Sequence, residues 1–423
     1  MTEIKPFKAF IYNQDKIKDL SKVVCPPYDV ISPSQQEEYL NSDAHNLVHI
    51  LLGKEIPGDN KYRRAGSDFK EWIKEEILIE DRSPAVYFYS QTYNLKGEKK
   101  TRLGFIALMR LGDENSGVFK HEHTRSEPKE DRLKLFRQVK ANLSPIFAIF
   151  PDQKRVIQWV YQRIKDKKPF IHVTDRENVV HKLWRVDSEE LLAGMMQKMS
   201  DENIFIADGH HRYEVACIYR KELKEKLGSL NGEEGANYIL TYFTNTDLKG
   251  LTIMPINRLV SLGLEFDFEK FKISLSEYFD VEEIKDKTRF FFLMQKAGSS
   301  EHVIGMYNRK KFWLLRLKNV KILDKVIQDK QKDYRSLDVT VFNYLILKKI
   351  LGFDIENKEK INFNHDNEGL VREADKDDGK IAFFLNPVRI EQIMSIALSG
   401  ERMPSKSTYF YPKVLSGLVI NKF

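Results

Sequence analysis

Ile206-Ala207-Asp208-Gly209-His210-His211-Arg212-Tyr213-Glu214-Val215-Ala216 is the stretch on which the reading of this chain turns. The apolar run Asn203 to Ala207 predicts a short buried strand, and Asp208-Gly209 breaks it. Tyr213, Ala216, Cys217, Tyr219, Leu223 and Leu227 then recur at helical spacing, and Gly228 closes the helix. A strand that turns through glycine into a helix presents free amides and the positive end of the helix dipole, which favour an anion. Gly209 lets a phosphate approach the backbone, Arg212 can hold it through a bidentate pair of hydrogen bonds, and His210 and His211 can donate hydrogen bonds or shuttle protons. Asp208 is the candidate to orient a histidine or a magnesium-bound water. The corner also reads as a polar cap, which accounts for Asp208 but not for two histidines and an arginine beside it.

Outward from this corner the pattern is α/β (α+β). Ala85 to Tyr93 and Leu103 to Arg110 predict a hairpin turning at Asn94-Leu95-Lys96-Gly97. Phe69, Trp72, Ile73 and Ile77 predict a helix from about Tyr62 to Ile77. Ser126-Glu127-Pro128 starts another helix, whose apolar period runs through Leu143 and which Pro145 ends before a strand at Ile146 to Phe150. Residues from Pro151 to Pro169 read as a link. Strands come next at Tyr238 to Thr244 and Leu251 to Pro255. Beyond Phe266 lie a helix from Val339 to Leu351 closed by Gly352, a strand Ile381 to Leu385, a helix Val388 to Leu398 closed by Gly400, and a loop and strand over Met403 to Lys413. Two domains are expected, residues 1–258 and 259–423, the second closing over the site.

The 423 residues include 69 Lys and Arg against 62 Asp and Glu, a net charge of +7. The cations are scattered among acids, as in Lys221 to Lys226, so they read as solvated helix faces rather than a nucleic-acid stripe. No window offers the roughly 18 uninterrupted apolar residues of a membrane span; Val339 to Ile346 is broken by Thr340, Asn343 and Tyr344. Met1 to Phe10 lacks the apolar core of a secretory signal, so the cytoplasm is the expected location. The two cysteines, Cys25 and Cys217, read as free thiols.

Three further segments carry candidate chemistry. In His121-Glu122-His123-Thr124 the two histidines lie on one face if the segment is extended, where they can bind a metal or a phosphate. Glu122 can instead accept a hydroxyl proton, while Lys129 and Arg132 add positive charge for phosphate oxygens. The same residues also read as a polar loop capped by Thr124 and Ser126. Pro26-Pro27-Tyr28-Asp29 is a rigid turn in which Asp29 can bind a substrate amine or a metal, or merely cap the residues from Ser32 onward. Lys406-Ser407-Thr408 offers a cation and two hydroxyls as a phosphate clamp, or a loop held by hydroxyl caps; lacking the glycines before Lys-Ser, it is not a P-loop.

Gly209-His210-His211-Arg212 resembles the Gly-x-x-Arg signature of the ParB and sulfiredoxin superfamily, which holds nucleotide phosphates at a helix mouth. His210 stands where sulfiredoxins carry their catalytic cysteine, so sulfinic acid reduction is not expected. ParB proteins read Gly-Glu-Arg-Arg there and add a helix-turn-helix that is not evident in this chain. Over nearly its full length the chain is similar to an uncharacterised bacterial and archaeal family of this superfamily, through Cys25-Pro26-Pro27-Tyr28-Asp29-Val30-Ile31-Ser32, the His121 to Asn142 block and Met403-Pro404-Ser405-Lys406-Ser407-Thr408. Free L-serine kinases of the superfamily carry a similar Asp-Gly-His-His-Arg motif.

The resemblance implies a ParB/sulfiredoxin-like fold for the N-terminal half, a mixed α+β C-terminal half, and phosphoryl transfer from ADP or ATP to a small hydroxy amino acid, free serine giving O-phosphoserine. Asp208, His210, His211 and Glu122 are then the catalytic candidates. Gly209, Arg212, His121, His123, Thr124, Lys129, Arg132, Lys406, Ser407 and Thr408 are candidates for phosphate, and Tyr28, Asp29 and Asn142 for substrate. Mg²⁺ is expected because nucleotide phosphates usually arrive with it; its protein ligands are left open. A phosphatase using the same cradle and a CTP-binding, DNA-associated switch are the alternatives; nucleic acid is otherwise not an expected partner, nor is a membrane.

Overall fold

The computed structural model describes residues 2–112, 116–122, 126–232, 234–247, 249–298, 301–354 and 360–423. Contacts divide the chain into two compact units. The first comprises Met1–Lys120, Thr124–Thr252 and Pro412–Phe423; the second comprises His121–His123 and Ile253–Tyr411. Both mix helices with sheet, the α/β character expected. Among the described residues no helix is long and apolar enough to cross a membrane.

The first unit is built on a nine-stranded mixed sheet. Its strands are β1 (Ile4–Lys5), β2 (Val86–Leu95), β3 (Glu98–Arg110), β4 (Val118–Lys120), β5 (Ile146–Phe150), β6 (Ile171–Thr174), β7 (Val180–Val186), β8 (Ile204–Asp208) and β9 (Tyr238–Asn245). They lie in the order β4-β8-β5-β9-β3-β2-β7-β6, with β1 pairing β3. Two pairings are parallel, β4 with β8 and β5 with β9; the rest are antiparallel. The β2–β3 hairpin closes on Lys96 and Gly97, both at positive φ, the pair of left-handed residues a two-residue turn requires. Both of its strands run longer than their apolar cores, because the ladder continues into polar residues at the tip.

The helices of this unit include α1 (Lys61–Lys74), α2 (Ser126–Val139), α3 (Val156–Ile164), α4 (Glu189–Met199) and α5 (His210–Leu227). Asn60 caps α1 by accepting from the amides of Tyr62 and Arg63. Ile77 falls beyond its end, where Glu76 turns the chain at positive φ. Helix α2 likewise stops well short of Pro145, because Lys140 adopts positive φ and Ala141–Asn142 leaves to pair with Asn421–Lys422. The expected link from Pro151 to Pro169 holds α3, with Val156, Ile157, Val160 and Ile164 buried at helical spacing and Asp152 accepting the Val156 amide at 2.6 Å. A core of Phe88, Phe105, Phe150, Phe243, Met195, Ile206, Tyr213 and Ala216 joins sheet and helices. Each such fully buried large side chain contributes about 1.5–3 kcal/mol. Helix α5 is gripped on a second side, where Val215 and Tyr219 pack with Leu133 and Phe136 of α2. The strand–turn–helix corner is therefore set in rigid surroundings.

The second unit has a six-stranded antiparallel sheet of β10 (Asn257–Ser261), β11 (Phe279–Ile284), β12 (Val303–Asn308), β13 (Lys311–Leu317), β14 (Ile361–Asn364) and β15 (Lys380–Phe384). Their order is β11-β13-β12-β15-β10-β14. It packs α6 (Lys287–Ala297) and α7 (Asn367–Ala374) through Phe290, Met294, Leu314, Leu370 and Phe384. The helix expected over Val339 to Leu351 is one α-turn, Asp338–Val341, continued as a π-helix over Phe342–Ile350 and ended by Gly352 at positive φ. Helix α8 (Ile390–Leu398) ends before Gly400, also at positive φ, where the sequence places a stop.

Candidate functional site

The Asp208-Gly209 corner begins at strand β8, which lies inside the sheet and whose pairing with β5 slips between Ile206 and Asp208. Such a bulge re-aims the side chain beyond it, here Asp208. Gly209 sits at φ +88°, and α5 begins at His210. The left-handed turn favours glycine, and a Cβ at Gly209 would lie 2.9 Å from the guanidinium carbon of Arg212, displacing the arginine folded back over it.

Arg212 donates from Nη2 to Asp208 Oδ2 at 2.9 Å and from Nη1 to the Pro145 carbonyl. The other carboxylate oxygen, Oδ1, accepts from Lys413 Nζ at 2.8 Å. All three side chains are largely buried, with exposures of 17% for Asp208, 13% for Arg212 and 10% for Lys413. Burial alone would raise the pKa of Asp208, but Lys413 and Arg212 outweigh it, with help from His210, and hold the carboxyl far below the usual range. Asp208 is thus a permanent anion gripping two cations, and the three charges sum to +1 at a helix N-terminus. His210 is buried and His211 half-buried at the first turn.

Lys413 is the residue sequence reasoning missed. It lies 205 positions from Asp208 and carries no local signature. Its placement comes from the C-terminal segment, which threads the first unit. Gln91 donates to the Lys413 carbonyl at 2.8 Å, and Arg102 donates to that of Pro412 at 2.5 Å. Ser416 exchanges backbone hydrogen bonds with Cys25, and Ile420 with Phe10. Cys25 is buried, and burial pushes its thiol pKa up, so it is inert packing rather than a nucleophile.

Of the other expected residues in this unit, Tyr28 lies under the Arg132 guanidinium, 4.3 Å from ring centroid to carbon. Its pKa is raised by burial and by Asp29, against the opposing fields of Arg132 and Arg212. The Pro26-Pro27-Tyr28-Asp29 turn therefore lies within electrostatic reach of the Asp208 corner. Arg132 is committed to Asp131 and to the Leu51 carbonyl. Lys129 pairs with Glu214 at 3.1 Å, tying α2 to α5. Asn142 is buried, its carboxamide oxygen accepting from the Leu240 amide and from Asn421.

The remaining candidates gather in the second unit. The His121 carbonyl accepts from the Met403 amide at 2.6 Å, and Glu122 bridges Met403. Glu122 Oε1 accepts the Lys406 amide at 3.1 Å; Lys406 itself is at positive φ. His121 Nε2 lies 3.4 Å from Thr408 Oγ1, and Ser407 donates to the Pro404 carbonyl. Two segments nearly 300 residues apart thus form one polar loop pair, buttressed by buried Arg258, which donates to the Lys406 carbonyl at 3.0 Å. His123 and Thr124 lie outside the described residues.

The chain belongs to the family described as Protein of unknown function (DUF1015), whose model matches residues 4–340. No protein of curated function matches it. Among solved structures it is similar to a variant of a free serine kinase in complex with ADP, at 12% identity and a TM-score of 0.36, over 72% of this chain and 87% of that one. It is also similar to a conserved hypothetical protein from Pyrococcus furiosus, at 14% identity and a TM-score of 0.34, over 73% and 92%. A third is C-terminally truncated SbnI from Staphylococcus aureus, at 11% identity and a TM-score of 0.36, over 74% and 86%.

Proposed function

We propose that this member of the DUF1015 family is a phosphotransferase that moves a phosphoryl group from ADP or ATP to a small hydroxy amino acid, free L-serine giving O-phosphoserine. The observation that carries the proposal is the pair of cations, Arg212 and Lys413, held by one buried carboxylate over a left-handed glycine at the mouth of α5. The sequence likeness of Asp-Gly-His-His-Arg to the free serine kinases supplies the acceptor.

Phosphoryl transfer demands positioning and charge neutralisation more than covalent chemistry. In this reading the serine hydroxyl oxygen forms the new bond to phosphorus while the bond from phosphorus to the nucleotide's leaving oxygen breaks. The α5 amides, Arg212 and Lys413 neutralise the phosphoryl oxygens. Asp208 is a positioning residue: its ionised carboxylate fixes both cations and never titrates in the working range. His210 and His211 supply hydrogen bonds to phosphate or to the leaving oxygen. One of the two histidines is also the proposed acceptor of the hydroxyl proton, and Tyr28 and Asp29 are proposed to hold the amino acid. The corner does not fit a protein-held Mg²⁺, since each Asp208 oxygen is taken by a cation and, among the described residues, no three His, Cys, Asp or Glu side chains cluster for a metal.

The test is a thermal-shift series with ADP, ATP and CTP, with and without Mg²⁺ and serine, on wild type and Arg212→Ala. Stabilisation of wild type by adenine nucleotides and its loss in the variant are expected. Equal stabilisation of both proteins, or of neither, overturns the cradle.

A further inference from the structure

The second unit contains a pocket of about 150 Å³ whose lining residues take no part in the proposed phosphoryl transfer. His302, Asp338, Asn386 and Arg389 form its polar wall, and Leu337 and Val388 contribute apolar surface. A cavity of that size accommodates a molecule of roughly six to ten non-hydrogen atoms.

Its polar wall is assembled from separate parts of the chain, and their hydrogen bonds assign one another. Gly298, just past α6, has no room for a side chain: a Cβ there would stand 2.3 Å from the carboxamide carbon of Asn386. Asn386 donates to the Val303 carbonyl and to Asp338 Oδ2, both at 3.1 Å. The other oxygen, Asp338 Oδ1, faces His302 Nδ1 at 2.9 Å. Because a carboxylate only accepts, His302 carries a proton on Nδ1, and in the one neutral tautomer this allows the lone pair is on Nε2. Nε2 makes no hydrogen bond among the described residues and is not sealed from solvent. The pair is mostly buried, at 16% and 12% exposure, yet it lines an open pocket rather than closing a core.

Charge sets the complementary ligand. Glu301 pairs with Arg316 at 2.6 Å, so Asp338 is the carboxylate that faces His302, and Arg389 is the cation on the same wall. We infer that this pocket binds a small zwitterion of the free amino-acid class. The ammonium donates to His302 Nε2 in the field of Asp338, and the carboxylate faces Arg389. The site shares no residue with the Asp208 corner, and its occupancy does not depend on the phosphotransfer reading.

The experiment is saturation-transfer NMR on the full chain with glycine, L-alanine, L-lactate and ethanolamine. The two amino acids are expected to bind with dissociation constants on the order of 1 mM, and the probes lacking ammonium or carboxylate about tenfold more weakly. His302→Ala is expected to weaken amino-acid binding about tenfold. Arg389→Ala, an exposed change that spares the fold, is expected to weaken it similarly. Absence of binding to wild type at about 10 mM, or equal binding in both pocket variants and wild type, would each overturn the assignment.

Discussion

Lys413→Met is the most informative perturbation of the corner. It keeps the length and apolar stem of the side chain but removes the charge that Asp208 Oδ1 accepts at 2.8 Å. Lys413 is 10% exposed and Asp208 17%, so the lost bond is charge-assisted and largely shielded from water. Such a bond is worth about 1.5–3 kcal/mol, and the remaining Arg212 contact spares Asp208 the larger cost of full isolation. An unfolding free energy lower by about 2 kcal/mol at pH 7 is expected. The sign of its pH dependence comes from the direction of the shift. Asp208 is held below its unfolded value in the wild type, so its stabilisation is complete above about pH 4 and is lost as pH falls further. With Lys413 gone the carboxyl is less depressed, and the gap between variant and wild type narrows in acid. Urea titrations read by tryptophan fluorescence report the result, since Trp72, Trp159 and Trp184 all lie in the first unit. A variant as stable as wild type, or a difference that stays constant down to about pH 2, would refute the account of a carboxylate clamping two cations.

The other predictions concern the same unit. Arg212→Ala leaves Lys413 on Asp208 and is expected to cost about 1–3 kcal/mol in urea titration while abolishing the nucleotide-induced thermal shift. Gly209→Ala forces a side chain into φ +88° against the Arg212 guanidinium; a loss of at least about 1 kcal/mol together with weakened nucleotide binding is expected by calorimetry. His181 is buried, with Nδ1 at 2.6 Å from Tyr89 and Nε2 at 3.0 Å from Asp175, and burial lowers its pKa despite that carboxylate. The unfolded chain therefore takes up a proton that the folded one refuses, and stability should fall as pH drops below about 6.5. In His181→Gln that slope should shrink by roughly one proton.

What the sequence reveals about this molecule depends on the range of the interaction involved. The Asp208-Gly209 corner, α5 and its Gly228 stop, the hairpin, and the terminators Gly352 and Gly400 are local events, decided by side-chain periodicity and by residues that tolerate positive φ. Helix α3 is hidden because its start is capped by Asp152 across Arg155 at positive φ rather than by a residue next to the apolar run. Strands β6 and β7 have mixed polar faces, as in His172, Lys182 and Arg185, and their identity comes from the ladder in which β7 pairs β2 and β6 pairs β7. The early end of α2 is likewise imposed from far away, by Asn421–Lys422 claiming Ala141–Asn142. Lys413 at Asp208 and Lys406 at Glu122 are contacts over hundreds of residues; no spacing rule reaches them.

The measurement that bears most directly on the central claim is phosphorus NMR of the purified chain with L-serine, Mg²⁺ and either ADP or ATP, beside Arg212→Ala. Growth of an O-phosphoserine resonance with matching loss of the nucleotide's terminal phosphate, absent in the variant, is the predicted result. Unchanged nucleotide in the wild type, or equal turnover by both proteins, would contradict it.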